Sequence, residues 1–488
     1  MYKTIYDGRN VSMMMDLYEL TMANGYFLHE NRDTQVAFDV FYRRNPDGGG
    51  FAIFAGLEQI IEYVTNLHFE PEDINYLRSL GHFGEDFLQY LSNFRFHGDI
   101  YAFPEGTIMH PNEPVLTVVA NIVEAQIIET EILAQVNHQS LIATKARRIV
   151  RAAKGRAVSD FGARRAHNND AAIFGARAAY IGGVKGTATV SAGQYFDIPV
   201  GGTMAHSWVM YYKDELEAFR KFAAVYPDNC ILLVDTYNVI SSGVPNAIKV
   251  FDEMRSAGIR SRNFGIRIDS GDLSYLTKES RRMLDAAGYE DAKIVISNSL
   301  DEFTIRSILN QGGQVDSFGV GERLITARSE PVFGAVYKLC AVREEGKEEF
   351  DPRIKISETI EKVTNPGLKD VWRIFNEDGY AVADLITLKG EEVDLSGQYH
   401  FVDPERPWKK LYFENCTKEK LQKHVVSEGR RTGGVRSVRD IAAYVQDQLD
   451  TKVWLEEQRF ENPHRHYVDM SPAYYGMKMN MLGEAKQG

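Results

Sequence analysis

Residues 264–297 read FGIRIDSGDLSYLTKESRRMLDAAGYEDAKIVIS. Gly265–Ile268 is a short β-rich run, Asp269 to Asp272 is a polar turn, and from Tyr275 to Ala287 the apolar residues fall at helical spacing. Lys293–Ser297 then starts a second β-rich run. Strand, polar turn, helix and strand is the pattern of a crossover between parallel strands, which need a connection of a dozen or more residues to lie side by side. Working outward, similar β-rich runs occur at Ala157–Phe161, Gly186–Val190, Ile198–Met204, Ile231–Thr236, Ser317–Val320 and Ala335–Ala341. Helices are expected between some of them, at Asp214–Tyr226, Val244–Ala257 and Leu300–Gln311. The spacing is not a sequence repeat, which argues against a solenoid. Eight candidate strands in an α/β alternation predict an irregular (β/α)8-type barrel, irregular because two intervals are too short for a full helix.

The flanks have a different texture. Before the barrel, Met13–Phe27 has helical spacing with Ser12 as its expected N-cap, and Val36–Arg43 alternates like a strand. Asn45–Gly50 is a loop by composition, Phe51–Phe54 restarts a strand, and Ile122–Asn137 and Leu141–Arg151 read as two helices. After the barrel the chain is rich in charge, with a long helix expected from Val438 to Gln458 behind an N-cap at Ser437. The expected division is an N-terminal α/β domain over 1–140, the barrel over 141–345, and a smaller C-terminal α/β lobe and tail over 346–488.

Bulk composition narrows the function classes. A chain of 488 residues, 44% hydrophobic and 25% charged, is long enough for two or three well-packed domains. A formal charge of −12 argues against a nucleic-acid binder, although a local basic pocket for an anionic substrate remains compatible with it. Cys230, Cys340 and Cys416 are far apart and form no CxxC pair, so a reducing compartment is expected. Residues 1–10 contain no apolar signal core and no run approaches the length of a membrane span, so the expected location is cytoplasmic, with no membrane partner.

Polar and glycine residues gather just after the candidate strands, which in a barrel is the mouth where active sites sit. The clusters are Ser159–Arg165, Gly201–Ser207, Asp235–Asn238, Arg267–Asp272, Ser297–Ser299 and Gly319–Arg323. Each has a plainer reading. Asp160-Phe-Gly162 looks like a kinase motif, but no HRD loop or preceding GxGxxG accompanies it. Asp269 and Asp272 can cap the following helix, and with Asp235 they can equally hold Mg²⁺, a hard cation that favours carboxylates and phosphate oxygens. Gly319-Val-Gly321 lets backbone approach a phosphate closely. His464-Arg-His466 in the tail has no cysteine companion nearby in sequence, and a surface or packing role is expected rather than metal binding. The basic GRRTGGVRSVRD stretch reads as a surface loop or a phosphate-recognition segment.

Together these blocks resemble the bacterial-type nicotinate phosphoribosyltransferase family. The resemblance runs from Asp16-Leu-Tyr18-Glu-Leu-Thr21 to Asn462-Pro-His-Arg465, through FAIFAGLEQ (51–59), EAQIIETEIL (124–133), DFGARRAH (160–167), GTMAHS (202–207), DTYN (235–238), RIDSGDL (267–273) and the VYKL after Ala335. It implies a homodimer with active sites shared between subunits, Tyr18 crossing from the partner chain to the nicotinate ring and Phe161 stacking on that ring. It implies further that Thr203 and Arg267 bind nicotinate, that Gly319 and Gly321 lie beside the ribose phosphate, and that His206 is transiently phosphorylated by ATP. The candidate site therefore has His206, Asp235 and Asp269 as catalytic residues. Tyr18, Phe161, Arg164, Thr203, Arg267, Gly319 and Gly321 are its substrate-binding residues, and Asp269 and Asp272 its metal ligands. Nicotinate, phosphoribosyl pyrophosphate (PRPP) and ATP are the expected partners, with Mg²⁺ as cofactor.

Two departures matter. Relatives often carry threonine where Glu322 stands, and a carboxylate beside a phosphate is unfavourable unless Arg323 neutralises it or it points away. In related nicotinamide-using enzymes an aspartate occupies the position of Ala188. Its absence removes a charge that would repel the carboxylate of nicotinic acid. Nicotinamide phosphoribosyl transfer is thus the nearer rival. A metal-dependent barrel lyase using Asp235, Asp269 and Asp272 is the more distant one, and a non-catalytic nucleotide sensor is disfavoured by the presence of His206 and Arg267.

Overall fold

The computed structural model describes residues 9–29, 33–357, 362–395 and 399–484, so the N-terminal expectation drawn from residues 1–10 lies largely outside the described residues. The chain packs as two units, one made of residues 1–141 with 332–488 and the other of residues 142–331. No described helix is long and apolar enough to cross a membrane.

The second unit is built on six parallel strands. Their order across the sheet is Gly186–Thr187, Ala157–Asp160, Ser317–Val320, Lys293–Ile296, Asn263–Ile268, Asn229–Leu233. This is a half-barrel sheet rather than eight strands in a closed ring. Apolar side chains such as Ile231, Ile266, Ile294 and Phe318 are buried along it. Gly265 takes φ of 155° where it pairs with Lys293, and a Cβ there would overlap the Lys293 backbone. The helices Glu215–Val225, Val244–Ser256, Leu273–Ala286 and Glu302–Asn310 follow the expected segments to within two residues. Three of them start on aspartate caps, at Asp214, Asp272 and Asp301, whose carboxylates accept the N–H of Glu217, Tyr275 and Thr304.

Two of the eight expected strands fall elsewhere. Ile198–Met204 contributes a single bridge between Val200 and Thr187. The glycine pair that follows Val200 has open space around it and nothing to pack. The last run forms Val336–Arg343, which pairs antiparallel with Gln35–Phe41 in the first unit. Its alternation is satisfied there: Tyr337 stacks on Phe38 at 4.6 Å and donates to the Ala125 carbonyl.

The first unit carries a seven-stranded sheet, Asp351–Pro352, Val336–Arg343, Gln35–Phe41, Leu116–Asn121, Asp99–Ala102, Lys423–Ser427, Arg430–Arg431. A six-stranded sheet includes Lys369–Phe375, Ala381–Leu388 and Val468–Met470. Sequence-distant strands thus share one sheet. The first helix is Leu17–Leu28, not Met13–Phe27, and its cap is Asp16, whose N–H is bonded by Glu19 in return. The Ser12 hydroxyl instead accepts the N–H of His68. The expected break near residues 138–140 is absent, because Gln139 bonds Gln59 and Ser140 bonds the Ala55 N–H inside one helix, Glu129–Ala152. The break falls earlier, after a short helix Ile122–Gln126. Ser437 caps the late helix as expected, but that helix ends at Thr451.

Candidate active site

The ends of the parallel strands converge on a polar network in the second unit. Asp235, just past Asn229–Leu233, is buried (1% exposed) while the His206 ring beside it is 40% exposed. His206 Nε2 lies 3.2 Å from Asp235 Oδ1. The other carboxylate oxygen of Asp235 accepts the Ser270 hydroxyl at 2.6 Å and the Asp269 N–H at 3.1 Å. The carboxylate is thereby fixed, and it orients an imidazole whose Nδ1 makes no hydrogen bond among the described residues. His206 is the first residue of a short helix, His206–Tyr211, rather than part of a strand end.

Arg267 is the hub of the adjoining half. Its Nε donates to Ser297 at 2.8 Å, and its Nη1 donates to Thr203 at 3.2 Å and to the Met204 carbonyl at 3.3 Å. Nη2 sits at a longer 3.4 Å from Asp269, so that arm of the fork is only loosely engaged. The Arg267 guanidinium lies 5.5 Å from the ring centre of Phe161. Phe161 follows Ala157–Asp160 and lies against Gly319, where any Cβ would overlap its ring. Its N–H donates to the Val320 carbonyl at 2.7 Å. Asp160 is buried, and its carboxylate accepts the Gly162 N–H at 2.8 Å and the Thr187 hydroxyl at 2.7 Å, holding the Phe161 turn in place. Burial raises the Asp160 pKa above the usual carboxylate value.

The structure thus brings together Phe161, Thr203, His206, Asp235, Arg267 and Asp269, with Gly319 and Gly321 beside Phe161. Arg164 is exposed in the turn Ala163–Arg165. Asp272 is exposed and occupied in capping Leu273–Ala286, the plainer of its two sequence readings. Tyr18 belongs to the first unit, on Leu17–Leu28, and is 44% exposed. Glu322 is neutralised by Arg328 at 3.0 Å, while the neighbouring Arg323 pairs with Asp301. Ser297, whose hydroxyl links Arg267 to Asp269, and Ser270, which anchors Asp235, fall in the strand-end clusters but were given no role from sequence. Their signal was only a hydroxyl at a strand end.

Three family profiles cover nearly the whole chain. The nicotinate phosphoribosyltransferase N-terminal domain matches residues 13–137, the nicotinate phosphoribosyltransferase family proper matches 156–385, and the C-terminal domain matches 368–478. A nicotinate phosphoribosyltransferase of Bacillus subtilis (strain 168) is 43% identical over 478 residues, 98% of this chain and 96% of the relative. The chain belongs to the nicotinate phosphoribosyltransferase family. A second family member, from Mycobacterium tuberculosis, is 41% identical over 382 residues, 78% of this chain and 79% of its own. The crystal structure of human nicotinic acid phosphoribosyltransferase superposes with a TM-score of 0.83 at 27% identity, covering 96% of this chain and 100% of that one. Within this family fold, the strand-end network described above is the candidate active site.

Proposed function

We propose that this family member forms nicotinic acid mononucleotide from nicotinate and PRPP, coupled to ATP hydrolysis through a phosphohistidine at His206. The observation that carries the coupling is the fixed Asp235–His206 pair. Asp235 accepts Nε2–H and so selects the tautomer whose Nδ1 lone pair faces outward. His206 Nδ1 attacks the γ-phosphorus of ATP, an N–P bond forms, the P–O bond to ADP breaks, and Asp235 stabilises the positive imidazole. The phosphorylated ring carries added negative charge and acceptor oxygens that neutral imidazole lacks, and its hydrolysis drives product formation.

For the transfer itself, a flat pyridine ring stacked on Phe161 would set its carboxylate toward Arg267, whose Nη2 is the arm available for charge-assisted pairing. The ring nitrogen then attacks C1 of PRPP as pyrophosphate leaves. The protein's main tasks are alignment of the two reactants and stabilisation of the departing charge. Only one oxygen of Asp269 is engaged among the described residues, so Asp269 would offer its other oxygen to a Mg²⁺ ion that neutralises the pyrophosphate, and Asp272 would add only the oxygen it does not spend on capping its helix. The exposed Tyr18 supports a homodimer in which the partner subunit's Tyr18 completes the ring site. A cytoplasmic location agrees with the free, unpaired cysteines.

The test follows mononucleotide formation from nicotinate, PRPP and Mg²⁺, with and without ATP, with nicotinamide run in parallel. Product from nicotinate, accelerated by ATP, is expected. His206→Ala should remove the ATP benefit and leave slow, uncoupled transfer; a variant that still hydrolyses ATP in step with product would overturn the role of His206. Product from nicotinamide in preference would overturn the reading of Ala188.

A further inference from the structure

A second polar cluster lies in the first unit and takes no part in the chemistry above. His110, Glu457 and His466 come from sequence-distant segments and are all buried. Their ligand-type atoms lie within 4.8 Å of one another. His466 Nδ1 is 3.0 Å from Glu457, and its Nε2 is 3.6 Å from Asp384. His466 is buried and stacked on His110, as a packing role expects, and the fold also brings Glu457 and Asp384 to it.

The geometry around His110 suits a cation ligand. His110 makes a backbone hydrogen bond to Gly50 through one ring nitrogen, while its buried Nδ1 has no hydrogen-bond partner. One ring N–H held by a carbonyl and the other nitrogen left as a lone pair is the arrangement that orients a metal-ligating histidine. Gly50 is needed for this, because a Cβ there would overlap the backbone of Glu457 and push it away. His466 Nε2 is likewise buried, 3.6 Å from Asp384. Asp384 is paired to Arg373 at 2.6 Å and 2.8 Å, and burial together with Asp384 pushes the neighbouring Glu113 carboxyl well above the usual carboxylate range.

We propose that His110, Glu457 and His466 form a buried structural site for a divalent transition-metal ion of the zinc type. Two imidazoles and a carboxylate suit zinc, and a buried, closed site matches a structural rather than a catalytic role. The two rings stack at 3.9 Å, and tetrahedral zinc ligands sit about 3.3 Å apart for bonds near 2.0 Å, so one ring swings out of the stack to close on the ion. The site would tie the loop around Gly50 and His110 to the C-terminal segment 457–466, a staple between sequence ends made within one unit.

The full chain, prepared without a polyhistidine tag from zinc-containing medium, should retain stoichiometric zinc after dialysis, measured by elemental mass spectrometry. Its zinc X-ray absorption spectrum should show imidazole and oxygen scattering with no sulfur. Cobalt-exchanged protein should show visible ligand-field bands of tetrahedral intensity. His110→Phe, which keeps a stacked ring, and Glu457→Gln should both lose the bound metal. Absence of zinc, sulfur ligation, or variants that hold zinc as the wild type does would each overturn the proposal. The absorption measurement needs only the wild-type chain, so it decides the matter even where a variant does not fold.

Discussion

At the residue scale, the Asp235–His206 pair makes a sharp prediction. In Asp235→Asn the amide can present an N–H to Nε2, which moves the ring proton to Nδ1 and removes the attacking lone pair. Labelling of the protein by γ-phosphate-labelled ATP should fall on the order of a hundredfold or more, while circular dichroism stays unchanged. Full labelling in the variant would show that the phosphoryl acceptor is not set by this hydrogen bond. Gly319 gives a second prediction, because its missing side chain is what lets the Phe161 ring lie on the sheet. Gly319→Ala must displace that ring, an overpacking strain of about 1–3 kcal/mol, so KM for nicotinate should rise well before KM for PRPP does. Equal changes in both would mean the whole strand end had moved. The residue scale is also where the sequence was a good guide, since a chemistry-bearing side chain just after a strand announces itself locally. For Glu322 it left two readings open, neutralisation by Arg323 or a side chain turned away. An adjacent arginine looks like the natural partner, yet successive residues in the helical turn Glu322–Ile325 point about 100° apart, so Arg328 makes the pair instead.

At the element scale, helices were more legible than strands. A helix advertises its period and its cap within a dozen residues, and Asp272 and Ser437 both act as the caps the local pattern suggests. Where it misled, at Ser12, a competing tertiary bond to His68 had claimed the hydroxyl, and Asp16 with its reciprocal Glu19 supplied the stronger signal. Strand runs reveal only that they want burial on a pleated surface, not which sheet provides it. That is why Val336–Arg343 looked like a barrel strand and is not one. The helix Val438–Thr451 tests the cap directly. Ser437 accepts the Asp440 N–H at 3.1 Å and donates to its carboxylate at 2.7 Å. Ser437→Ala should lower stability by about 1 kcal/mol, read as an earlier urea midpoint with an unchanged slope, and Ser437→Asp should restore most of it. An unchanged midpoint in the alanine variant would mean this helix is held by its buried face alone, through Ile441, Val445 and Leu449.

At the scale of the whole molecule, the acidic composition conceals a dependence on pH that composition alone does not predict. The net charge of −12 suggests self-repulsion that grows as pH rises. The folded chain adds a specific term, because burial pushes several carboxyls upward: Glu19 to about 7, Asp469 to about 6, and Glu129 and Glu215 in the same direction. A carboxyl whose pKa is higher folded than unfolded binds a proton on folding between those two values. Its stabilising contribution is full below the unfolded value of about 4.5 and is lost as pH rises through the folded one. Stability should therefore decline from pH 5 to pH 7.5 rather than stay level. Glu19 is the clearest contributor, since it is buried against Thr130, whose hydroxyl and N–H both donate to it. Glu19→Gln keeps an acceptor for those bonds but cannot ionise, so its thermal midpoint should vary less with pH over this window, and the variant should gain on the wild type as pH approaches 7.5. Parallel curves for the two proteins would place the proton uptake on other carboxyls and remove Glu19 from the account.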